Sequence, residues 1–402
     1  MFVTIREFKD KGELKRYLLS IGNTEAGAEI LSLKAFTLNI EISGIDTRAA
    51  NILKQDAISV GGDCGVPRKA SLFEKGTCTV LLMATERSLS RLIDKLRLQP
   101  FGLKQLAEKL EEVLRNYAKG EFTISYRGKE LNLKKPAIMG ILNVTPDSFS
   151  DGGEFLSIDR AVKHCEEMFE NGASVIDIGG ESTRPGSEPV PLEEEIRRTI
   201  PVIEEIRKKL GDKFFISIDT YKSEVAERAL DAGADIVNDI SGFHFDPKMA
   251  ELVAKQGCPA VIMHIKGTPK DMQKAPYYED VVREIIQYFE KTIEDAEKKG
   301  VKKEQLIIDP GIGFGKRLKD NLSILKRLSE FKILGLPILI GTSRKSFIGA
   351  ITGESDPKKR LEGTLASIYA SVIRGAKIVR VHDVKETKRF LDTLLAIEEV
   401  NC

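Results

Sequence analysis

Residues 137–153 read AIMGILNVTPDSFSDGG. An apolar run, Ala137–Leu142, stops at an asparagine, and a loop rich in Pro, Asp, Ser and Gly follows. The same unit recurs downstream: a short apolar run, a polar or glycine-bearing loop, then a helical stretch. Further runs lie at Ser174–Ile178, Phe214–Ile218, Asp235–Val237, Ala260–Met263, Leu306–Ile308, Pro337–Ile340 and Lys377–Val381, which makes eight. Between them, Leu192–Leu210, Ser223–Asp231, Tyr278–Lys299 and Glu362–Arg374 place apolar residues at helical spacing. Short, almost wholly apolar strands that alternate with helices pair in parallel and are buried on both faces. Eight units between Pro136 and Glu398 match the ~250 residues of a (β/α)8 TIM barrel. An open, doubly wound sheet is the alternative. It usually needs fewer strands and a GxGxxG first turn, which this chain lacks.

The sequence before Pro136 has a different texture. Asp46–Val60, Ser88–Leu98 and Leu103–Tyr117 read as helices, Thr77–Met83 as a strand, with Pro100 and Gly102 as punctuation. Glu121–Leu133 alternates apolar and polar residues around Arg127-Gly128, a hairpin signal. The chain therefore divides into residues 1–118, a small N-terminal α/β domain, and residues 119–402, a barrel led by the hairpin 121–133. Within the first part, ILKQDAISVGGDCGVPR (52–68) reads as helix, glycine turn and short strand. Gly61-Gly62 and Arg68 could touch an anion there, but turn chemistry accounts for them. No motif in residues 1–118 assigns that domain a role.

With 402 residues the chain has room for two or three domains, and 42% hydrophobic with 31% charged residues is an ordinary globular balance. Lys plus Arg (62) nearly cancel Asp plus Glu (61). A net charge of +1 draws the protein neither to nucleic acid nor to an anionic membrane, so any anion site must be local. Five cysteines, Cys64, Cys78, Cys165, Cys258 and Cys402, are scattered without a CxxC pair. They read as reduced thiols of a cytoplasmic protein rather than as a disulfide or zinc framework. The N-terminus has no secretory pattern, and no apolar run reaches the ~20 residues of a membrane helix.

A TIM barrel places its chemistry where strands end and loops begin. The first strand ends at Asn143, whose amide oxygen could ligate Mg²⁺, a hard cation. The second runs through Asp177 into GGESTRPGS (179–187), where Glu181, Thr183 and Arg184 bunch beside a Gly/Pro turn. The third, fourth and sixth end in Asp219, Asn238-Asp239 and Asp309. One such residue alone is more often a helix cap. Several at equivalent positions converge on one pocket and could pair with the donor–acceptor edge of a nitrogen heterocycle. The fifth strand supplies Met263 and His264, the latter as fit for a structural as for a functional role. The seventh and eighth lead into GTSRKSFIG (341–349) and RVHDV (380–384). Ser343, Arg344, Lys345, Ser346, Arg380 and His382 make an anion cradle where barrels commonly bind phosphate. An ion-paired strand end is the alternative, and two basic strand ends side by side around the barrel favour the anion site over it.

MGILNVTPDSFSDGG, GGESTRPGS, DPGIGFGK, GTSRKSFIG and RVHDV resemble the signature segments of the dihydropteroate synthases, in order and spacing, over roughly two-thirds of the chain. The resemblance implies a pterin-binding TIM barrel that joins a pterin pyrophosphate to p-aminobenzoate. It implies Mg²⁺ on Asn143, and the pterin ring held by Asp219, Asn238 and Asp309 and lined by Ile240, Met263 and Phe314. Lys345 would border both substrates, and Arg380 and His382 would hold the pyrophosphate. Phe149, Thr183, Arg184, Pro185 and Ser346 would form the p-aminobenzoate site, where sulfonamides compete in the family. Asp219, Asp309, Lys345 and Arg380 would carry catalysis, in a protein that is usually a homodimer. A methyltetrahydrofolate–corrinoid methyltransferase shares the barrel and the pterin but needs no pyrophosphate site. A non-catalytic pterin-binding protein would bind without turnover.

Overall fold

A computed structural model describes residues 1–144, 154–182 and 186–400. The chain forms two compact units that divide between Arg115 and Asn116. The first contains α1 (Lys11–Ser20), α2 (Glu25–Ala35), β1 (Thr37–Asp46), α3 (Thr47–Ser59), β2 (Asp63–Gly65), α4 (Arg68–Ser71), β3 (Thr77–Thr85) and α5 (Glu86–Leu96). The helix α6 (Leu103–Ala118) begins in this unit and ends in the second. The boundary thus falls three residues before the expected one, inside a continuous helix. The sheet is antiparallel, in the order β1-β3-β2. Alternation on β3 turns Cys78, Val80, Leu82 and Ala84 inward against Leu53, Leu89, Leu92 and Leu96. Gly61-Gly62 is a packing turn, since a Cβ on Gly62 would meet Ala84 Cβ and the Met83 carbonyl at 3.0 Å.

The second unit opens on the expected hairpin, β4 (Thr123–Tyr126) and β5 (Lys129–Asn132). Arg127 and Gly128 both sit at positive φ, +47° and +77°, as a two-residue hairpin turn demands. Ile124, Tyr126, Leu131 and Leu133 join the barrel core, and Arg127 Nη1 donates to the Leu230 carbonyl at 3.0 Å.

Eight parallel strands then close a barrel: β6 (Ala137–Asn143), β7 (Val175–Gly179), β8 (Phe215–Asp219), β9 (Ile236–Asp239), β10 (Ala260–Met263), β11 (Leu306–Asp309), β12 (Ile338–Ile340) and β13 (Ala376–Val381). Each matches one of the eight apolar runs to within two residues. The intervening helices are α7 (Glu154–Glu170), α8 (Leu192–Leu210), α9 (Ser223–Asp231), α10 (Met249–Gln256), α11 (Val281–Lys298), α12 (Leu318–Lys326), α13 (Ser346–Thr352), α14 (Leu361–Val372) and α15 (Val384–Glu398). Closure pairs β13 with β6, setting Arg380 beside Met139. Among the described residues no helix is long and apolar enough to cross a membrane, and Cys64, Cys78, Cys165 and Cys258 are free and buried. Cys402 lies outside the described residues.

The two units have separate cores with no residue in common. A chain that begins at Asn116 is therefore expected to fold alone and melt in one cooperative transition, followed by circular dichroism. A fragment without ordered secondary structure would contradict this.

Candidate active site

The strands end at one mouth, and its floor is an ion cluster whose carboxylates are buried. Arg380 on β13 donates from Nε to Asp177 Oδ2 on β7 at 2.6 Å, and from Nη2 to Asp219 Oδ2 on β8 at 2.7 Å. Asn238 on β9 donates from Nδ2 to the same Asp177 oxygen at 3.0 Å. Asp177 is wholly buried, with 0% exposure. Among the described residues nothing bonds Asp177 Oδ1 or Asp219 Oδ1. Burial pushes the Asp219 carboxyl up to about 7, with Arg380 pulling it down and Asp177 pushing it further up. Burial lowers Arg380, but the carboxylates of Asp177 and Asp219 outweigh it and hold the guanidinium above its ordinary range. The two shifts pull opposite ways on the pairing. A guanidinium effectively never deprotonates, so the arginine is the fixed charge and Asp219 the member that takes a proton.

Beside this floor stands an apolar wall. Ile240, Met263, Met272 and Phe314 form a cluster separate from the barrel core, edged by Tyr221 and Ile265. Asp309, at the end of β11, accepts the Gly311 N–H at 2.8 Å. Burial pushes its carboxyl up, against the pull of that N–H, Lys345 and Lys316. Lys345 Nζ lies 4.2 Å from the Phe314 ring centroid. Flat apolar surface next to two carboxylates and an amide suits a planar heterocycle with donors on its edge.

The rim after β12 and β13 supplies hydrogen-bond donors. The His382 N–H donates to Ser343 Oγ at 3.2 Å, and that oxygen sits 3.0 Å from His382 Nδ1. A hydroxyl hydrogen turned toward Nδ1 leaves the ring proton on Nε2, and the opposite tautomer would donate from Nδ1 to the same oxygen. Burial pushes His382 down to about 3, with Arg344 and Arg380 adding to the effect. His382 therefore offers a neutral N–H rather than a charge. Arg344 grips Asp383 through Nε (3.1 Å) and Nη2 (2.5 Å), so the ion-paired reading holds for both arginines of the expected cradle, Arg380 being held by Asp177 and Asp219. Ser346 is exposed at the start of α13. Asn143 is half-buried at the end of β6, opposite Gly179. Phe149, Thr183, Arg184 and Pro185 lie outside the described residues.

Two neighbours of the expected site are structural. Glu181 accepts from Val190 N (3.0 Å), Tyr221 Oη (2.9 Å) and Lys222 Nζ (2.6 Å), tying the loop after β7 to that after β8. Asp239 accepts from Ser241 N, Ser241 Oγ and Phe243 N and so shapes its own loop. Sequence reasoning quoted Asp177 but gave it no part. The signal was a lone charge in the otherwise apolar VIDI.

A family model, "Pterin binding enzyme", matches residues 139–382. The dihydropteroate synthase of Synechocystis sp. is 50% identical over 252 residues, which cover 63% of this chain and 86% of that protein. The solved structure of Xanthomonas albilineans dihydropteroate synthase with 4-aminobenzoic acid is 43% identical, with a TM-score of 0.66, covering 70% of this chain and 99% of that one. A probable bifunctional folylpolyglutamate synthase/dihydropteroate synthase of Haloferax volcanii is 41% identical over 367 residues. That match covers 89% of this chain and 43% of the relative, so it extends beyond the barrel into the N-terminal unit.

Truncating Arg380 would leave two buried carboxylates facing each other. Arg380→Ala is expected to lose about 3–5 kcal/mol of stability near pH 8. Arg380 holds the Asp219 carboxyl down to about 7, so in the variant it titrates higher still. A carboxyl raised above its unfolded value of 3.8 disfavours the fold once ionised, so the loss is greatest at alkaline pH and shrinks as pH falls toward about 7. Denaturant unfolding at alkaline and acidic pH checks this, and an equal loss at both would count against the cluster.

Proposed function

The chain belongs to the dihydropteroate synthases, within the pterin-binding enzymes, and from that premise we propose how its barrel joins (7,8-dihydropterin-6-yl)methyl pyrophosphate to p-aminobenzoate. The observation that carries the reading is one mouth holding both a carboxylate floor under a flat apolar wall and a donor-rich rim. The products are 7,8-dihydropteroate and pyrophosphate. The pterin ring lies against Ile240, Met263 and Phe314, its edge met by Asp309, Asn238 and Asp219. The bond from the pterin methylene to pyrophosphate oxygen breaks and takes its electron pair with the leaving group. Positive charge grows over the Asp177–Arg380–Asp219 floor, where two carboxylates flank one guanidinium. Negative charge grows at the rim, toward Lys345, the His382 Nε2–H and Arg380 Nη1, the guanidinium nitrogen that neither carboxylate takes. The p-aminobenzoate amine then forms the new carbon–nitrogen bond and loses a proton.

No side chain needs to bond covalently to substrate. Burial pushes the Cys165 and Cys258 thiols up to about 12, far from thiolate reactivity. The acceptor end is supported by the relative solved with 4-aminobenzoic acid. Ser346 borders it, and Phe149, Thr183, Arg184 and Pro185 belong to its loops. Among the described residues no group of three His, Cys, Asp or Glu side chains could hold a metal ion. One amide oxygen, from Asn143, together with substrate phosphate oxygens and water is nonetheless how Mg²⁺ is commonly held, so the residues fit it. When bound, Mg²⁺ would offset charge on the pyrophosphate.

We read the protein as a cytoplasmic homodimer. Leu318 and Leu322 on α12, Tyr369 on α14 and Ile373 just after it are large apolar side chains left exposed on or beside helices that pack together, a face suited to a second copy. Analytical ultracentrifugation is expected to give a dimer, and Leu322→Glu to shift it toward monomer.

The catalytic test is direct. Purified protein with the pterin pyrophosphate, p-aminobenzoate and Mg²⁺ is expected to release dihydropteroate and pyrophosphate in equal amounts, with a sulfonamide competing against p-aminobenzoate. Pterin binding without product would identify a non-catalytic binder instead.

A further inference from the structure

Lys316 and His264 are buried ionisable side chains that the reaction above leaves unused. Lys316 is 3% exposed and His264 6%. Lys316 Nζ reaches His264 Nδ1 at 2.9 Å, the His264 carbonyl at 3.1 Å and the Phe314 carbonyl at 3.0 Å. An ammonium has three hydrogens, and here they meet three neutral acceptors. No carboxylate lies within ion-pair distance of it among the described residues. Burial pushes the ammonium down to about 7, with Asp309 the strongest opposing pull. Packing alone does not explain a charge here, since a methionine would fill the space without burying an ion.

The contacts run between two loops that are pressed together. A Cβ on Gly311 (φ +71°) would stand 2.1 Å from the His264 carbonyl oxygen, and one on Gly315 (φ +64°) 2.3 Å from that of Lys266. Tyr278 Oη donates to the Gly315 carbonyl at 2.9 Å. Each loop carries part of the apolar wall. Met263 directly precedes His264, and Phe314 stands two residues before Lys316. Asp309 heads the second loop.

We propose that Lys316 is a positioning residue: through His264 Nδ1 and the His264 and Phe314 carbonyls it latches the loop after β11 onto the loop after β10. The latch fixes the gap between Met263 and Phe314, and the setting of Asp309, into which the pterin ring fits. This deepens the pterin assignment and rests on it. It also gives His264 a definite state. Nδ1 accepts from Lys316, so the ring is neutral with its proton on Nε2, and burial with the Lys316 charge pushes its pKa well below the ordinary value.

The wild-type protein supplies the first test. In ¹⁵N NMR of histidine-labelled enzyme, His264 is expected to show the Nε2–H tautomer and no titration between about pH 5 and 6.5, where Lys316 still carries its proton. A His264 that titrates in that window, or that carries its proton on Nδ1, overturns the latch. The second test is calorimetric binding of 6-hydroxymethyl-7,8-dihydropterin. Lys316→Met and His264→Leu are each expected to weaken it at least about tenfold, while KM for p-aminobenzoate stays within about twofold. His264→Asn puts an amide oxygen near the place of Nδ1 and is expected to restore most of the affinity. A folded Lys316→Met with wild-type affinity, or an Asn variant as weak as the Leu variant, sinks the proposal. A wild-type protein that binds no pterin defeats the functional assignment instead, and the NMR result then judges the latch by itself.

Discussion

Arg380 is held between two buried carboxylates, its own side chain 21% exposed at the mouth, and that arrangement exists only if the barrel closes. Asp177 and Asp219 lie on neighbouring strands β7 and β8, in register through the pairing of Gly179 with Asp219. Arg380 comes from the last strand, and only the β13–β6 pairing brings it round to face them. A sheet left open at that seam would strand a guanidinium on one edge and two carboxylates in its interior. Removing one partner of a buried ion pair leaves an uncompensated charge, a heavier penalty than the pair itself gains. The cluster therefore favours the closed barrel over its open competitor, and the closed barrel in turn holds the cluster at the floor of the mouth.

The mouth divides its charge by depth. Carboxylates dominate the floor, and the guanidinium that balances them has two of its three nitrogens occupied. The rim contributes donors whose charge is held low or committed elsewhere: His382 is neutral, and Arg344 belongs to Asp383. This separation suits a bond that breaks with opposite charges on its two fragments. Each fragment finds fixed dipoles or charges of the opposite sign, with little reorganisation needed as the bond lengthens.

The barrel could be read from sequence because parallel strands buried on both faces leave continuous apolar runs. The polar residue closing each run marked the mouth for the same reason, as the first position where burial ends. What escaped was whatever depends on partners far along the chain or on solvent at an edge. Asp177 is 203 positions from Arg380, and no local pattern announces that they meet. β1 went unread as a strand because only one side of it is covered, and its inward residues Leu38, Ile40 and Ile42 remain half-exposed. The unit boundary lies within α6, where an unbroken helical pattern carries no mark of a change of neighbours. His264 stayed ambiguous because its state is set by Lys316, 52 residues later.

Two cations at the inner end of the mouth, Arg380 and the buried Lys316, are accommodated by opposite means, and each suits its place. Arg380 is matched by carboxylates, which keeps charge in the floor where the reaction develops charge. Lys316 is matched by a ring nitrogen and two backbone carbonyls, which tie it to the backbone of two loops. Had Lys316 been paired with a carboxylate instead, its bonds would hold a side chain, and side chains change rotamer more readily than carbonyls move. A cation bonded to backbone on both sides of a wall transmits its constraint directly to the residues that line it. Charge thus serves this barrel twice: beneath the substrate as an electrostatic field, and behind it as a mechanical tie.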